Sequence, residues 1–270
     1  MQDRDRRLSE VYKTKFGRWL IHSGPGFAAG RLRFASGNDI MRMSKDHESQ
    51  PVASSKYAIV HRCTFLLRAK QVNCYIKQYL NRSAVDVLKH IFRPSRAKRA
   101  FTAGLMLTEN GFLTPAPLAL GQYRQLGICT KNFLITAEVT DAVPMHKCLR
   151  TTPDKESLLV DFGQTVGKMH AAGIFHGDLR MGNVLAKKDD TNWQFWFLDN
   201  ERTKKFIKLP DALRIKNLVQ INMFRDKITQ ADRETFFEAY LTQNPDQAGR
   251  KNALAQSVLT KTNKRLENKG

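Results

Sequence analysis

One short stretch constrains this chain more than any other feature of its sequence. Residues 175–185 read FHGDLRMGNVL and contain the spacing H-x-D-x-x-x-x-N at His176, Asp178 and Asn183. An apolar run farther along the chain ends in a further carboxylate, Asp199. A histidine, an aspartate and an asparagine at these intervals, followed by an apolar run that ends in aspartate, predict a polar loop joined to a strand hairpin.

These residue types are the ones that phosphoryl transfer requires, because that reaction depends on positioned metal ions and an oriented hydroxyl. The Asp178 carboxylate can accept the hydroxyl proton and aim the nucleophile. The Asn183 amide oxygen and the Asp199 carboxylate can ligate Mg²⁺ that bridges the phosphates of ATP, since Mg²⁺ prefers hard oxygen ligands. We expect His176 to hold the loop in shape rather than to exchange protons.

The surroundings of the loop match the order of parts in the catalytic half of a kinase. Thr152-Pro153 predicts a helix start, with a capping residue followed by proline, and Gly173 predicts the end of that helix. Strands are predicted at 184–186 and 193–198, on either side of a polar turn. A polar surface loop with an incidental histidine is the alternative, and it leaves this order of elements unexplained.

Strand signals dominate the earlier half of the chain. Residues 57–67 and 72–79 read as strands joined by a turn at 68–71. Lys77 stands in the second strand, in the run CYIK, where kinases carry V-A-I-K. Burial of its charge is costly without an anionic partner, and nucleotide phosphates would supply one. A lysine on an edge strand that points to water is the alternative.

A helix is predicted from its capping residue Ser95 to about Glu109, and further strands at 118–120 and 133–139. The last of these strands would form the hinge between lobes. At its end, the backbone groups of Ala137 and Val139 are the candidates to contact the adenine edge of ATP.

The whole pattern predicts an α+β protein with a two-lobed, protein-kinase-like fold, in which the N-lobe is strand-rich and the C-lobe mainly helical. We expect a basic N-terminal segment at 1–30, a nucleotide-binding N-lobe at 31–136 and a catalytic C-lobe at 137–270.

Positive charge is the strongest signal in the composition. The 45 Lys and Arg residues exceed the 25 Asp and Glu residues, which gives a formal net charge of +20. Such a surface attracts polyanions: nucleic acid, anionic lipid head groups or a phosphorylated substrate. One basic segment is a candidate for peripheral contact with an anionic inner membrane, with a solvated helix face as the alternative; it comprises Lys89, His90, Arg93, Arg96, Lys98 and Arg99.

The N-terminal residues MQDRDRRLSE contain no apolar stretch, and no window approaches the roughly 20 apolar residues of a spanning helix. We therefore expect a cytoplasmic protein, soluble or peripheral on the membrane. The cysteines are scattered without a C-x-x-C pair, which predicts reduced thiols and no zinc site; they are Cys63, Cys74, Cys129 and Cys148.

Several stretches are more specific than the loop itself: VDVLKHIFRPSRA at 85–97, TPAPLAL at 114–120, FWFLDNERT at 195–203 and RIKNLVQ at 214–220. Together with the loop they resemble the Kdo/WaaP lipopolysaccharide kinase family, in its InaA-like branch, over residues 55–245. The resemblance implies ATP-dependent phosphorylation of an inner-core sugar of lipopolysaccharide, Kdo or heptose, at the cytoplasmic face of a bacterial inner membrane.

Two features depart from the kinase pattern. No G-x-G-x-x-G phosphate loop precedes Tyr57, and the glycine-rich stretch at 24–30 lies too early. The helix from Ser95 carries Ala100 where an acid would pair with Lys77. Either another carboxylate pairs with Lys77, or the active geometry forms on substrate binding, or the chain is a degraded pseudokinase.

Other functions share parts of the pattern. Small-molecule phosphotransferases of the aminoglycoside or choline type carry a similar loop, but they bind cationic substrates, which a charge of +20 disfavours. A protein serine/threonine kinase would show an A-P-E-like signal after Asp199. A non-enzymatic nucleic-acid-binding protein fits the charge, but no recognised nucleic-acid motif is present, so nucleic acid is not the expected partner.

Overall fold

A computed structural model describes residues 9–14, 17–24, 49–67, 70–81 and 93–268. The chain divides into two compact units: unit 1 comprises Met1–Leu105 and Pro115–Val139, and unit 2 comprises Met106–Thr114 and Thr140–Gly270. Unit 1 is strand-rich and unit 2 mainly helical, which is the α+β character that the sequence predicts. The exact boundaries at 30/31 and 136/137 stay a prediction.

Strands of the described residues in unit 1 form one antiparallel sheet with the order β1-β2-β6-β7-β5-β4-β3. They are β1 Ser9–Thr14, β2 Gly17–Ser23, β3 Gln50–Val52, β4 Ala58–Leu67, β5 Lys70–Tyr79, β6 Pro117–Gln125 and β7 Ile128–Ala137. Strands β4 and β5 lie where the sequence predicts them. Strand β6 runs well beyond the predicted 118–120, because its polar second half pairs with β7 through the backbone.

The two faces of this sheet are covered differently. Cys74 and Ile76 of β5 are buried in a cluster with Trp19 and Phe133, so alternation along β5 is confirmed. Tyr79 faces the other way and packs against helix α1, Arg96–Glu109. The prediction that Ser95 caps this helix is also confirmed, because its hydroxyl accepts the Lys98 N–H at 3.2 Å.

Unit 2 combines helices with short antiparallel pairings, β11-β10-β8 and β12-β9. Its elements are β8 Val143–Pro144, α2 Met145–Thr151, α3 Lys155–Ala171, β9 Ile174–Phe175, β10 Val184–Lys188, β11 Trp193–Phe197, β12 Lys204–Lys205, α4 Asp211–Asn222, α5 Gln230–Thr242 and α6 Lys251–Glu267.

Helix α3 begins later than the sequence predicts. The Thr152 hydroxyl accepts the Asp154 N–H at 3.2 Å in the turn before the helix, so it stabilises the approach and does not cap the first turn. The helix ends at Gly173 as expected, with φ of 75° at that residue. A capping box at Thr229 and Asp232 opens α5, and both of its hydrogen bonds are present.

Aromatic packing holds α3 against the strand hairpin and against α5. The Phe162 ring centroid lies 5.1 Å from that of Phe195 and 5.5 Å from that of Phe236. Burial of a side chain of this size contributes about 1.5–3 kcal/mol. The core of unit 2 therefore fixes the hairpin that follows the predicted catalytic loop.

The cysteines are free thiols and buried, as expected from their scatter. Burial raises the pKa of all of them, and that of Cys74 to about 12. In the described part of the chain, none of the helices combines the length and the apolar character needed to cross a membrane.

Candidate active site

The polar loop of the sequence pattern leaves β9, passes through a short 3-10 helix at Met181–Asn183 and enters β10. Val184 pairs with Phe197 of β11, and the Leu198 N–H donates to the Asn183 carbonyl at 2.8 Å. The backbone hydrogen bonds between β10 and β11 thus continue to the end of the hairpin away from its turn. They place Asn183 beside Leu198, the residue that precedes Asp199.

Asn183 also anchors the loop aspartate. Its Nδ2 donates to the backbone carbonyl of Asp178 at 2.9 Å and to the Asp178 Oδ2 at 3.0 Å. The Arg180 Nη2 donates to the same Oδ2 at 2.6 Å. Among the described residues nothing donates to the Asp178 Oδ1 or to the Asn183 Oδ1. The Asp178 Oδ2 and the Asn183 Nδ2 are therefore held by neighbours, while the Oδ1 of each side chain can serve a ligand.

Asp199 adopts a left-handed conformation, with φ of 58° and ψ of 43°. This conformation is uncommon for residues other than glycine and costs on the order of 1–3 kcal/mol, so its surroundings must enforce it. The side chain of Asn200 does so by donating to the Phe197 carbonyl at 3.0 Å and to the Thr114 hydroxyl at 2.8 Å. Backbone strain held in place by hydrogen bonds is typical of functional positions.

The donor set around the loop fits a magnesium ion that also binds phosphate oxygens and water. The Asn183 and Asp199 oxygens are hard ligands, and Mg²⁺ commonly takes one or two carboxylates from the protein and the rest from nucleotide and water. Within the described ranges, no group of three or more His, Cys, Asp or Glu residues is arranged to hold a metal.

His176 is fully buried, and its ring centroid lies 5.8 Å from that of Phe197. Burial lowers its pKa, although the nearby Asn200 side chain and Leu198 backbone oppose that shift. Neither ring nitrogen reaches hydrogen-bond geometry with these neighbours. A neutral imidazole packed behind the loop suits the predicted structural role, which stays a prediction.

Lys77 lies in the interior of the sheet of unit 1. It pairs with Val60 on β4 and with Leu134 on β7, so the alternative of an edge-strand lysine is wrong. Its side chain is half-buried, on the sheet face that α1 covers, with Nζ 5.3 Å from the Tyr79 ring centroid. Ala100 of α1 packs into the same cluster as Tyr79.

Polar side chains occupy the neighbouring part of that face. The Arg62 Nε and Nη2 donate to the two carboxylate oxygens of Glu138 at 2.7 and 2.8 Å, and the Tyr75 hydroxyl donates to Glu138 at 3.2 Å. The hydrogen bonds from Arg62 hold the pKa of Glu138 below its usual range. Glu138 of this triad stands in the sequence between the two residues predicted to meet adenine, Ala137 and Val139.

One of the two backbone hydrogen-bonding groups of Ala137 already has a partner. Its N–H donates to the Ala116 carbonyl at 2.9 Å, so a base would have to be read by the Ala137 carbonyl instead. Val139 is the last residue of unit 1. The contact of either residue with a nucleotide stays a prediction.

The structure adds residues that the sequence pattern does not single out. Arg180 forms an ion pair with the predicted base, and its position two residues after Asp178 was a usable signal. Asn217 and Gln220 on α4 donate to or accept from the backbone of the loop. Two amides three residues apart on a helix that also carries several apolar residues were the signal for them.

Comparison with known proteins identifies relatives of this arrangement. The model of the lipopolysaccharide kinase (Kdo/WaaP) family matches residues 45–240. The 3-deoxy-D-manno-octulosonic acid kinase of Haemophilus influenzae (strain PittGG) is 26% identical over 156 residues, 54% of this chain and 65% of that protein. The kinase of the same name from Vibrio parahaemolyticus is 27% identical over 111 residues, 41% of this chain and 45% of that protein. The chain thus matches less than two thirds of the length of these relatives.

A solved structure described as WaaP in complex with acyl carrier protein has the same fold. It superposes with a TM-score of 0.63 at 18% identity and covers 88% of this chain and 97% of its own. The two-lobed, protein-kinase-like α+β fold expected from the sequence is thereby confirmed. The family model spans well over half of the 270 residues, and the chain belongs to the lipopolysaccharide kinase (Kdo/WaaP) family.

Proposed function

We propose that this protein transfers the γ-phosphoryl group of ATP to a hydroxyl of a lipopolysaccharide inner-core sugar, Kdo or heptose. The observation that carries the proposal is the loop of unit 2, where Asn183 holds Asp178 by two hydrogen bonds and adjoins the strained Asp199. This arrangement occurs in a chain that belongs to a family of lipopolysaccharide kinases.

In the proposed reaction, the open Oδ1 of Asp178 accepts the proton of the attacking sugar hydroxyl and aims its oxygen at the phosphorus. The Asn183 Oδ1 and the Asp199 carboxylate would hold Mg²⁺, which when bound would neutralise charge on the phosphates. Arg180, paired with Asp178 and more than half exposed, supplies a cation to the transferred group. Proton acceptance by a positioned base contributes about 10²–10⁴-fold to the rate of such reactions.

Unit 1 would bind the nucleotide. Lys77 stands on the face of its sheet that α1 covers, and we assign it to the phosphates of the nucleotide. We assign the phosphate contacts of the missing glycine loop to the turn 53–57 between β3 and β4, which reads ASSKY. Val60 pairs with both Val52 and Lys77, so this hairpin adjoins the lysine strand.

The acceptor and its membrane account for the basic surface. Lipid A and Kdo are anionic, and each basic residue near an anionic surface contributes about 1 kcal/mol. Arg96 is stacked on Tyr79 with its guanidinium carbon 4.8 Å from the ring centroid, and it donates to the Tyr57 carbonyl. The exposed Arg93 and Lys98 are therefore better placed than Arg96 for peripheral membrane contact; Lys89 and His90 of the same predicted segment lie outside the described residues.

The proposal is tested by incubating purified protein with labelled ATP, Mg²⁺ and two acceptors, Kdo-linked and heptosylated lipid A. We expect label on one acceptor and its loss in Asp199→Asn, since asparagine tolerates the left-handed backbone but is a weaker metal ligand. Asp189→Asn is the matched control: this exposed residue accepts hydrogen bonds at the opposite end of the same hairpin. Equal transfer by both variants would refute the metal assignment, and ATP turnover without a labelled acceptor would refute the substrate class.

A further inference from the structure

Helix α4 touches the predicted catalytic loop at three backbone atoms. The Asn217 Oδ1 accepts the His176 N–H at 3.2 Å, and the Gln220 Oε1 accepts the Leu179 N–H at 3.0 Å. The Gln220 Nε2 donates to the Gly177 carbonyl at 3.3 Å. These contacts lie immediately before and immediately after Asp178, so the backbone of the proposed base is held on both sides.

The two amides are locked to each other. The Asn217 Nδ2 donates to the Gln220 Oε1 at 2.9 Å, which fixes both amide orientations. Both side chains are buried, at 0% and 4% exposure. Removal of either would leave backbone groups of the loop without partners in a place that water does not reach, which is unfavourable for each group.

Asn217 is also linked to His170, Tyr240 and Arg214 by a chain of hydrogen bonds, in which one assignment of donors and acceptors is consistent. The Asn217 Oδ1 can only accept, so the His170 Nε2, 3.2 Å away, carries the proton. The His170 Nδ1 must then accept from the Tyr240 hydroxyl at 3.0 Å, whose oxygen accepts from the Arg214 Nη1 at 2.5 Å. A neutral His170 thereby donates to the same Asn217 oxygen that accepts the His176 N–H.

We propose that Asn217 and Gln220 are positioning residues, which set the place of Asp178 through the backbone of its neighbours, with His170 orienting Asn217. This inference rests on the proposed function for its catalytic consequence, but the clamp itself is a property of the loop. It also gives a role to the stretch RIKNLVQ at 214–220. Neither amide contacts Asp178, so the effect passes through the chain at His176 and Leu179.

The test compares Gln220→Met and Asn217→Leu with Asn132→Leu. These substitutions keep side-chain size and remove the hydrogen bonds. Asn132 is the matched control because it is equally buried, its side-chain oxygen accepts a backbone N–H, that of Ala97 at 3.0 Å, and it lies in unit 1, outside the loop and the hydrogen bonds that support it. Each variant is assayed for single-turnover phosphoryl transfer, for the KM of ATP, and for hydrogen exchange of the amides in 174–183 relative to global unfolding.

We expect both loop variants to lose transfer rate by about 10- to 100-fold, since a misplacement on the order of 1 Å has this effect, with unchanged KM for ATP. Exchange at His176 and Leu179 should accelerate in the corresponding variant, whereas Asn132→Leu should lower stability without faster exchange at these amides. Unchanged loop exchange, or unchanged transfer despite faster exchange, overturns the proposal. A wild-type protein without phosphoryl transfer would refute the proposed function instead, and the exchange measurement would still decide whether the clamp exists.

Discussion

Substitution of Gly177, in the predicted catalytic loop, is the sharpest test of how tightly that loop is held. Gly177 has φ of +54°, and a Cβ built on it would lie 2.3 Å from the Arg202 Cβ and 2.7 Å from the Arg202 carbonyl oxygen. The left-handed conformation costs a substituted residue about 1–2 kcal/mol. Crowding against backbone and a Cβ, which cannot swing away, adds about 1–3 kcal/mol. Gly177→Ala should therefore lower the free energy of unfolding by about 2–5 kcal/mol.

Gly111 separates the two contributions. It has φ of +79°, and a Cβ built on it meets nothing within 4 Å. Gly111→Ala should lose only the conformational part, about 1–2 kcal/mol. Urea unfolding of the two variants under the same conditions measures the difference, and the transfer rate should fall in Gly177→Ala alone, because Asp178 follows the displaced residue.

Equal losses of unfolding free energy in the two variants would refute the reasoning. It would mean that the loop moves away from Arg202 at negligible cost and is not a rigid platform. A loss in Gly177→Ala without any change in transfer rate would contradict the link between loop position and chemistry.

Three further outcomes follow from the same structure. Asp178→Asn should cut single-turnover transfer by about 10²–10⁴-fold while ATP affinity, measured by equilibrium binding, stays near that of the parent; a mainly weakened affinity would mark Asp178 as structural. Lys77→Met should raise the KM for ATP and lower the rate, and unchanged kinetics would contradict a phosphate-binding role for its position between β4 and β7. Burial lowers the pKa of His170 from 6.5 to about 3, so between these pH values the unfolded state binds a proton that the folded state does not. The free energy of unfolding should therefore fall by up to about 1.4 kcal/mol per pH unit on acidification below 6.5. Urea unfolding of His170→Gln over the same pH range should lack this contribution.

The sequence predicts the loop and its hairpin well because their polar and apolar residues alternate at short range. Asp178, Asn183 and Asp199 are singled out from spacing, and their catalytic roles stay a prediction. Asn183 bonds to Asp178, and it lies beside Leu198, the residue before Asp199. The local capping signal at Ser95 also holds.

Contacts between residues that are far apart in the sequence cannot be predicted from such local patterns. The Arg62–Glu138 pair joins residues 76 positions apart, and no local pattern marks either as a partner of the other. The clamp by Gln220 on residues 41 positions earlier is of the same kind. The late start of α3 is a different case, because Thr152 has the right chemistry for a cap and uses it in the preceding turn.

The buried thiols of the native cysteines can report on how the two units unfold. Cys63, Cys74 and Cys129 belong to unit 1, whereas Cys148 belongs to unit 2. Their raised pKa values and burial suppress alkylation at neutral pH until the surrounding structure opens. In partial denaturant, the intact mass should then gain all adducts at once if the units unfold together, or three and one in separate steps if they do not. The native cysteines can thus show whether the two units unfold cooperatively, and no labelling site has to be introduced.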